Sequence, residues 1–168
     1  TDLKYKSDTH HLELLPKPGI NHFDVTVFPP KYTGLPNRSH ENIGDLQVPN
    51  GTEIMWNFKG IDIDTLYFVL DDSTAIGAQN REEGFVIESA FYESSGYNVF
   101  IKNNVTEPEL AFSYGIDVIP DLFPEIQIVR IQDSTQMTRY FFKGIIGDDY
   151  GFTGLNFHYN INNTDSAV

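Results

Sequence analysis

TEIMWNFKG, residues 52–60, sets Ile54, Trp56 and Phe58 on one side of an extended chain and Glu53, Asn57 and Lys59 on the other. Successive side chains of a strand point to opposite faces, so this alternation predicts a half-buried β-strand with tryptophan at its centre. The same period recurs on both sides. FDVTVF (23–28) alternates Phe23, Val25 and Val27 with Asp24 and Thr26, and TLYFVL (65–70) offers Leu66, Phe68 and Leu70. YNVFIKN (97–103) sets Tyr97, Val99 and Ile101 apart from Asn98 and Lys102, and AFSYGIDVI (111–119) continues with Phe112, Tyr114, Ile116 and Val118. GFVIESAFY (84–92) is a weaker strand. Between them PNG (49–51), DDS (71–73), SSG (94–96) and TEPE (106–109) have the composition of turns. About seven short strands with turn signals roughly every ten residues predict an all-β fold, an immunoglobulin-like antiparallel β-sandwich.

A repeat marks the boundaries. LELLPKPGINHFDV, from Leu12, and IDVIPDLFPEIQI, from Ile116, share an order of apolar and acidic residues, a proline, a short link and a new strand. Pro16 and Pro120 stand 104 residues apart, the length of one such sandwich. Each proline reads as a stiffened link from one domain to the next. Residues 1–17 are then the last strand of a preceding domain or a linker, with a disordered leader as the alternative. Residues 18–119 are one complete sandwich, and residues 120–168 the first strands of a further, incomplete one. EIQIVRI, RYFFKGII and GLNFHYNI supply three strands there, which leaves apolar residues such as Phe142, Phe157 and Tyr159 facing water and an edge unpaired. HHLELL (10–15) is the expected partner of those strands, by folding back or, in a strand-exchanged homo-oligomer, from a neighbouring molecule.

Composition narrows the function. With 24 acidic residues against 11 basic ones and a formal charge of −13, the chain lacks the basic footprint that nucleic acid requires. No apolar run is long enough to span a bilayer, so direct membrane insertion by this segment is not expected. Without cysteine there is no disulfide and no thiolate metal site. Histidines at 10, 11, 22, 40 and 158 show no zinc spacing, no serine sits in a nucleophile elbow, and no glycine loop suits a phosphate. No catalytic residue, metal ligand or cofactor is expected.

GDDYG (147–151) is the stretch most open to a chemical reading. Calcium takes about six to eight oxygens gathered over a dozen residues, whereas Asp148 and Asp149 are adjacent and would point apart on a strand. A turn is favoured: an aspartate oxygen accepting backbone N–H bonds, Tyr150 packing over the turn, and Gly151 free to take positive φ. Asp62 and Asp64, with Asp71 and Asp72, read as solvated acidic loops, a weak cation site where the two turns meet being the alternative. Most aromatics fall on apolar strand faces. Tyr67, Tyr92 and Phe100 are the exceptions that face outward, and they are the candidate ligand-binding residues, as stacking platforms for a glycan.

FPPKYTGLPNRSHENIGDLQVPNGTEIMW (28–56) resembles the extracytoplasmic part of a bacterial family known as domain of unknown function 4175. IPDLFPEIQI (119–128) followed by FKGIIGDDYGFTGLNFHY (142–159) is similar to that family's next module. The resemblance spans roughly residues 12–161. It implies an immunoglobulin-like region of a large cell-envelope protein, periplasmic or extracytoplasmic and tethered by membrane helices outside this chain; it supplies no catalytic residue. The expectation is therefore a non-enzymatic structural or interaction module, a spacer or docking domain. Its partners are other domains of the same chain or envelope proteins. The alternative is a module that binds carbohydrate or peptidoglycan.

Overall fold

The alternation in residues 52–60 becomes β4 (Thr52–Ile61), in which Ile54, Trp56 and Phe58 are buried while Glu53 and Lys59 face water. A computed structural model describes residues 8, 10, 14–132, 134–135, 139–161 and 164–167. Around β4 run β1 (Gly19–Phe28), β2 (Arg38–Glu41), β3 (Leu46–Pro49), β5 (Thr65–Leu70), β6 (Ala75–Gly77), β7 (Gln79–Arg81), β8 (Gly84–Phe91), β9 (Ser95–Lys102) and β10 (Glu109–Ile119). They form two five-stranded sheets, ordered β2-β1-β4-β8-β7 and β3-β10-β9-β5-β6. The chain is all-β, an immunoglobulin-like sandwich.

Residues 19–119 hold ten strands rather than about seven. Six of them are the alternating stretches quoted above, and the other four, β2, β3, β6 and β7, span only three or four residues each, too few for a period to show. One ladder departs from the antiparallel rule: β3 runs parallel to β10, pairing Leu46 with Ile116 and Val48 with Val118. Ser95 and Gly96, expected in a turn, open β9.

The inward faces of both sheets share one core. Val25, Ile54, Trp56 and Phe58 meet Leu66, Phe68, Tyr97, Val99 and Ile116 there. Trp56 is edge-on to Phe68 at 5.1 Å and to Tyr97 at 5.4 Å, a geometry that sets positive ring edges against negative ring faces. Trp56 Nε1 donates to the Tyr97 hydroxyl, which donates to the Gly44 carbonyl.

After the sandwich, β11 (Glu125–Gln132) pairs antiparallel with β12 (Tyr140–Gly147), and β13 (His158–Ile161) pairs antiparallel with β14 (Thr164–Ala167). β13 takes only the second half of GLNFHYNI, and β14 is a strand the pattern did not reveal. The first of these hairpins shares a short sequence and a glycine contact with the sandwich. NFKGI (57–61) in β4 returns as FFKGI (141–145) in β12. Gly60 lies opposite Ile20 of β1 and Gly144 opposite Ile128 of β11. A side-chain carbon at either glycine would collide with a carbonyl oxygen of the facing strand, that of Gly19 or of Gln127. Phe58 meets Phe68 of β5 at 5.8 Å, and Phe142 meets Phe157, just before β13, at 4.9 Å. Burial differs sharply. β1 buries Phe23, Val25 and Val27, whereas all eight residues of β11 are exposed.

Candidate functional site

Residues 16–18 and 120–124 leave the sandwich at opposite ends. The register places Gly19 beside Ile61 at one end and Phe28 beside Glu53 at the other, where Ile119 also lies against Pro49. At the first end Asn103, 7% exposed, donates from Nδ2 to the Pro16 carbonyl at 2.9 Å. Its Oδ1 accepts from the backbone N–H groups of Val105 and Thr106 at 3.0 Å each. This one amide closes the β9–β10 loop and fixes the incoming chain. Lys17 adds an ion pair to Glu109 at 2.8 Å, which is exposed and so contributes little.

The other end carries YTG and DDYG together. Lys31–Thr33 form a single 3₁₀ turn in which Thr33 donates to the Pro30 carbonyl from both its N–H and its hydroxyl. Gly34 ends the turn at φ +66. This short, closed turn holds Tyr32 outward from the sandwich. Its ring meets that of Tyr150 at 5.7 Å and 86°. Tyr150 thus reaches across to the sandwich rather than only over its own turn, and it lines a crevice of about 370 Å³ with Pro29, Leu35, Pro36 and Ile119. Asp148 Oδ2 accepts from the Tyr150 N–H at 3.3 Å, Asp149 Oδ2 accepts from the Leu122 N–H at 3.4 Å, and Gly151 has φ +86. Asp149 therefore ties the turn to the strand link 120–124, and Asn50 ties that link's start to the sandwich by donating its N–H to the Ile119 carbonyl at 3.0 Å. Loss of hydration raises the Tyr32 hydroxyl above the usual tyrosine value, reinforced by its hydrogen bond to the Asp121 carboxylate. Tyr150 is raised first by the same desolvation and then by the charges of Asp149 and Asp121.

The three outward aromatics divide into two places. Tyr67 of β5 and Phe100 of β9 are cross-strand neighbours, and their rings stack at 5.4 Å and 14° on the outer face of the second sheet. Leu110, half exposed, lies opposite Phe100 on β10, while Gly77 lies opposite Tyr67 on β6 and brings no side chain to its flank. Tyr92 is elsewhere, on the turn after β8, where its carbonyl accepts from Asn50 Nδ2 at 2.6 Å and its ring covers Gly51.

The acidic loops do not converge. β5 separates Asp62 and Asp64 from Asp71 and Asp72. Asp64 Oδ2 accepts from the Asn104 N–H, Asp71 Oδ2 from the Gly96 N–H, and Asp72 Oδ1 from the Thr74 N–H. The hydrogen bond from Thr74 holds the Asp72 carboxyl below the usual range. Asp45, Asp71 and Asp117 line one trough, where Asp45 accepts from the Gly115 N–H and Asp117 from Ser94 and Gln47. Each is a carboxylate spent on closing the sandwich. Sequence reasoning did not find Asp45 or Asn103, because their partners are 70 and 87 residues away.

Among the described residues no group of histidines and carboxylates could hold a metal, and no helix is long and apolar enough to cross a membrane; the latter says nothing of a β-barrel. No family model and no curated protein matches the chain.

Proposed function

We propose that the chain is a non-catalytic structural module, a spacer or docking unit in a row of immunoglobulin-like domains. The observation that carries this is the pair of anchored ends: Pro16 is held by Asn103 at one end, and Tyr150 is seated against Tyr32 at the other. A module joined at opposite ends by short, hydrogen-bonded links transmits position along an array. DDYG is then the clasp between successive units. The sequence resemblance to the domain of unknown function 4175 family supports the periplasmic, membrane-tethered setting of an envelope protein, with neighbouring domains or envelope proteins as partners.

NMR relaxation tests the clasp. Residues 19–119 and 125–147 should tumble as one body, and Tyr150→Ala should separate their correlation times without unfolding the sandwich. Independent tumbling in the unaltered chain would refute a spacer of fixed geometry.

The stacked Tyr67–Phe100 pair favours a second reading, in which the outer face of β5 and β9 binds carbohydrate or peptidoglycan. The bare flank of Tyr67 over Gly77 supports it, since a sugar ring stacks on an uncovered aromatic face.

A further inference from the structure

We infer that the outer face of the first sheet is a docking groove for a basic peptide segment carrying apolar side chains, which rests on the docking role proposed above and not on the rigidity of the links. Register fixes which side chains share this face. Met55 of β4 lies opposite Thr26 of β1 and Glu88 of β8, and Asn57 lies opposite Asp24 and Val86. Ile54, Trp56 and Ile87 of the same strands fill the core, so Met55, Asn57 and their neighbours across the sheet point away from it.

Two cavities of about 480 and 390 Å³ adjoin on this face, and Met55 lines both. Phe28 and Ala90 add apolar surface to the first, and Val86 to the second. A thioether on an unbranched chain adapts to whatever side chain is set against it, which suits Met55 to a contact surface.

Charge selects the occupant. Glu53 borders the first cavity, and Glu82 and Glu83 border the second. Among the described residues none of these three is in an ion pair, whereas Glu88 is matched by Arg81 at 3.2 Å. Lys59 and His22, which pair across β4 and β1 beyond the groove, line neither cavity. Apolar hollows with uncompensated carboxylates at both ends fit a segment with lysine or arginine at its ends and an apolar side chain between them; an acidic partner meets like charge. Hydrogen bonding favours a peptide. Asn57 lines the second cavity, and its enclosed Oδ1 has no hydrogen-bond partner among the described residues, an acceptor that a peptide N–H satisfies once the amide turns toward the groove. Glu53 and Asn57 are four strand residues apart, about 14 Å, so four to six extended residues cover the groove. HHLELL, with no lysine or arginine, does not match; His11–Glu13, on which its expected pairing with the C-terminal strands falls, lie outside the described residues, and Leu14 and Leu15 are exposed.

Titration of the intact chain with a hexapeptide alternating lysine and leucine, followed by amide NMR, tests this. In 0.15 M salt charges beyond about 8 Å are screened, so saturable shifts are expected in β4 and β8 around Met55 and not over the acidic surface at large. Glu53→Gln with Glu83→Gln should weaken binding about two- to thirtyfold, the loss of two exposed ion pairs. Met55→Gln, which keeps the length of the side chain but not its apolar character, should weaken it too. The same charge removed at Glu107 and Glu125, outside this face, should change it less than about twofold. Hexalysine should bind more weakly than the alternating peptide. An absence of saturable shifts, shifts scattered over the surface, hexalysine binding equally well, or an equal loss from the Glu107 and Glu125 changes would overturn the inference. So would a chitosan oligomer that binds this face more tightly than the peptide, since a cationic polysaccharide would then be the occupant. Rigid links with no peptide bound would sink the groove and leave the spacer standing, and bound peptide on a chain whose units tumble separately would do the reverse.

Discussion

Trp56 donates its indole N–H to the Tyr97 hydroxyl across 3.1 Å, between two side chains that are 0% and 1% exposed. The Tyr97 hydroxyl donates in turn to the Gly44 carbonyl at 2.8 Å, so one oxygen satisfies a donor and an acceptor that water cannot reach. Tyr97→Phe keeps the ring and its contacts but strands both groups. Each unpaired buried group costs about 1–3 kcal/mol, so the variant should lose about 2–6 kcal/mol in urea unfolding. A loss inside the error of the measurement would mean that water replaces the hydroxyl.

The same residue sets an alkaline limit. Burial pushes the Tyr97 hydroxyl well above the usual tyrosine value, partly opposed by the hydrogen bond from Trp56. The folded state then keeps its proton at a pH where the unfolded chain has released it. With more protons bound when folded, stability is constant below about pH 10 and falls above it, by up to about 1.4 kcal/mol per pH unit for this group. Tyr97→Phe, less stable at neutral pH, should show a shallower decline when unfolding is followed from pH 9 to 11.

Two glycines should separate strain from space. Gly84 has φ +141, and a side-chain carbon there would collide with the Phe58 carbonyl. Gly77 has open space around it and an ordinary backbone. Gly84→Ala should cost about 1–3 kcal/mol, since neither the backbone angle nor the opposing strand can yield cheaply. Gly77→Ala should be neutral or stabilise by about 0.4–1 kcal/mol through the unfolded chain. Equal effects in thermal unfolding would contradict this account of β8.

What could be read from the sequence depended on length and locality. β1, β4, β5, β9 and β10 each show at least three inward apolar residues at period two, as in Tyr97, Val99 and Ile101, and these were legible. β6 and β7 have three residues each and carry no period. β3 shows Leu46 and Val48, but its partner is β10, and a parallel pairing across 70 residues leaves no local mark. Of the aromatic pair, outward direction was legible in Tyr67 and Phe100, whereas their contact required the register of β5 on β9. The repeated FKGI was open to inspection, yet it recurs after 84 residues while the prolines recur after 104. The mismatch arises because residues 29–51 separate β1 from β4 but only 133–139 separate β11 from β12.

DDYG should behave as a turn that clasps rather than as a cation site. A ion bound only by the native state must stabilise it, so calcium and chelator alike should leave the melting temperature unchanged. Gly151→Val places a β-branched residue at φ +86, where only backbone strain opposes it, and should cost about 1–3 kcal/mol in the C-terminal hairpins. Asp149→Asn keeps an oxygen for the Leu122 N–H and should cost less. A calcium-dependent rise of several degrees would show that Asp148 and Asp149 do bind an ion.

The Tyr67–Phe100 stack permits a test that separates holding the sheet from holding a ligand. Aromatic pairs contribute about 0.5–1.5 kcal/mol beyond the area they bury, so Tyr67→Ala and Phe100→Ala should each destabilise modestly. Because each ring is the other's partner, the double variant should lose less than the sum, with a coupling of about 0.5–1.5 kcal/mol. Tyr92→Ala, on a separate turn, should add independently to either. The same variants on a glycan array, with cell-wall fragments included, decide the second reading: binding lost in Tyr67→Ala and Phe100→Ala but kept in Tyr92→Ala would place the ligand on the outer face of β5 and β9. If the unaltered chain binds no glycan while the coupling is present, the stack serves the sheet alone, as a cross-strand pair that fixes the register of β5 against β9.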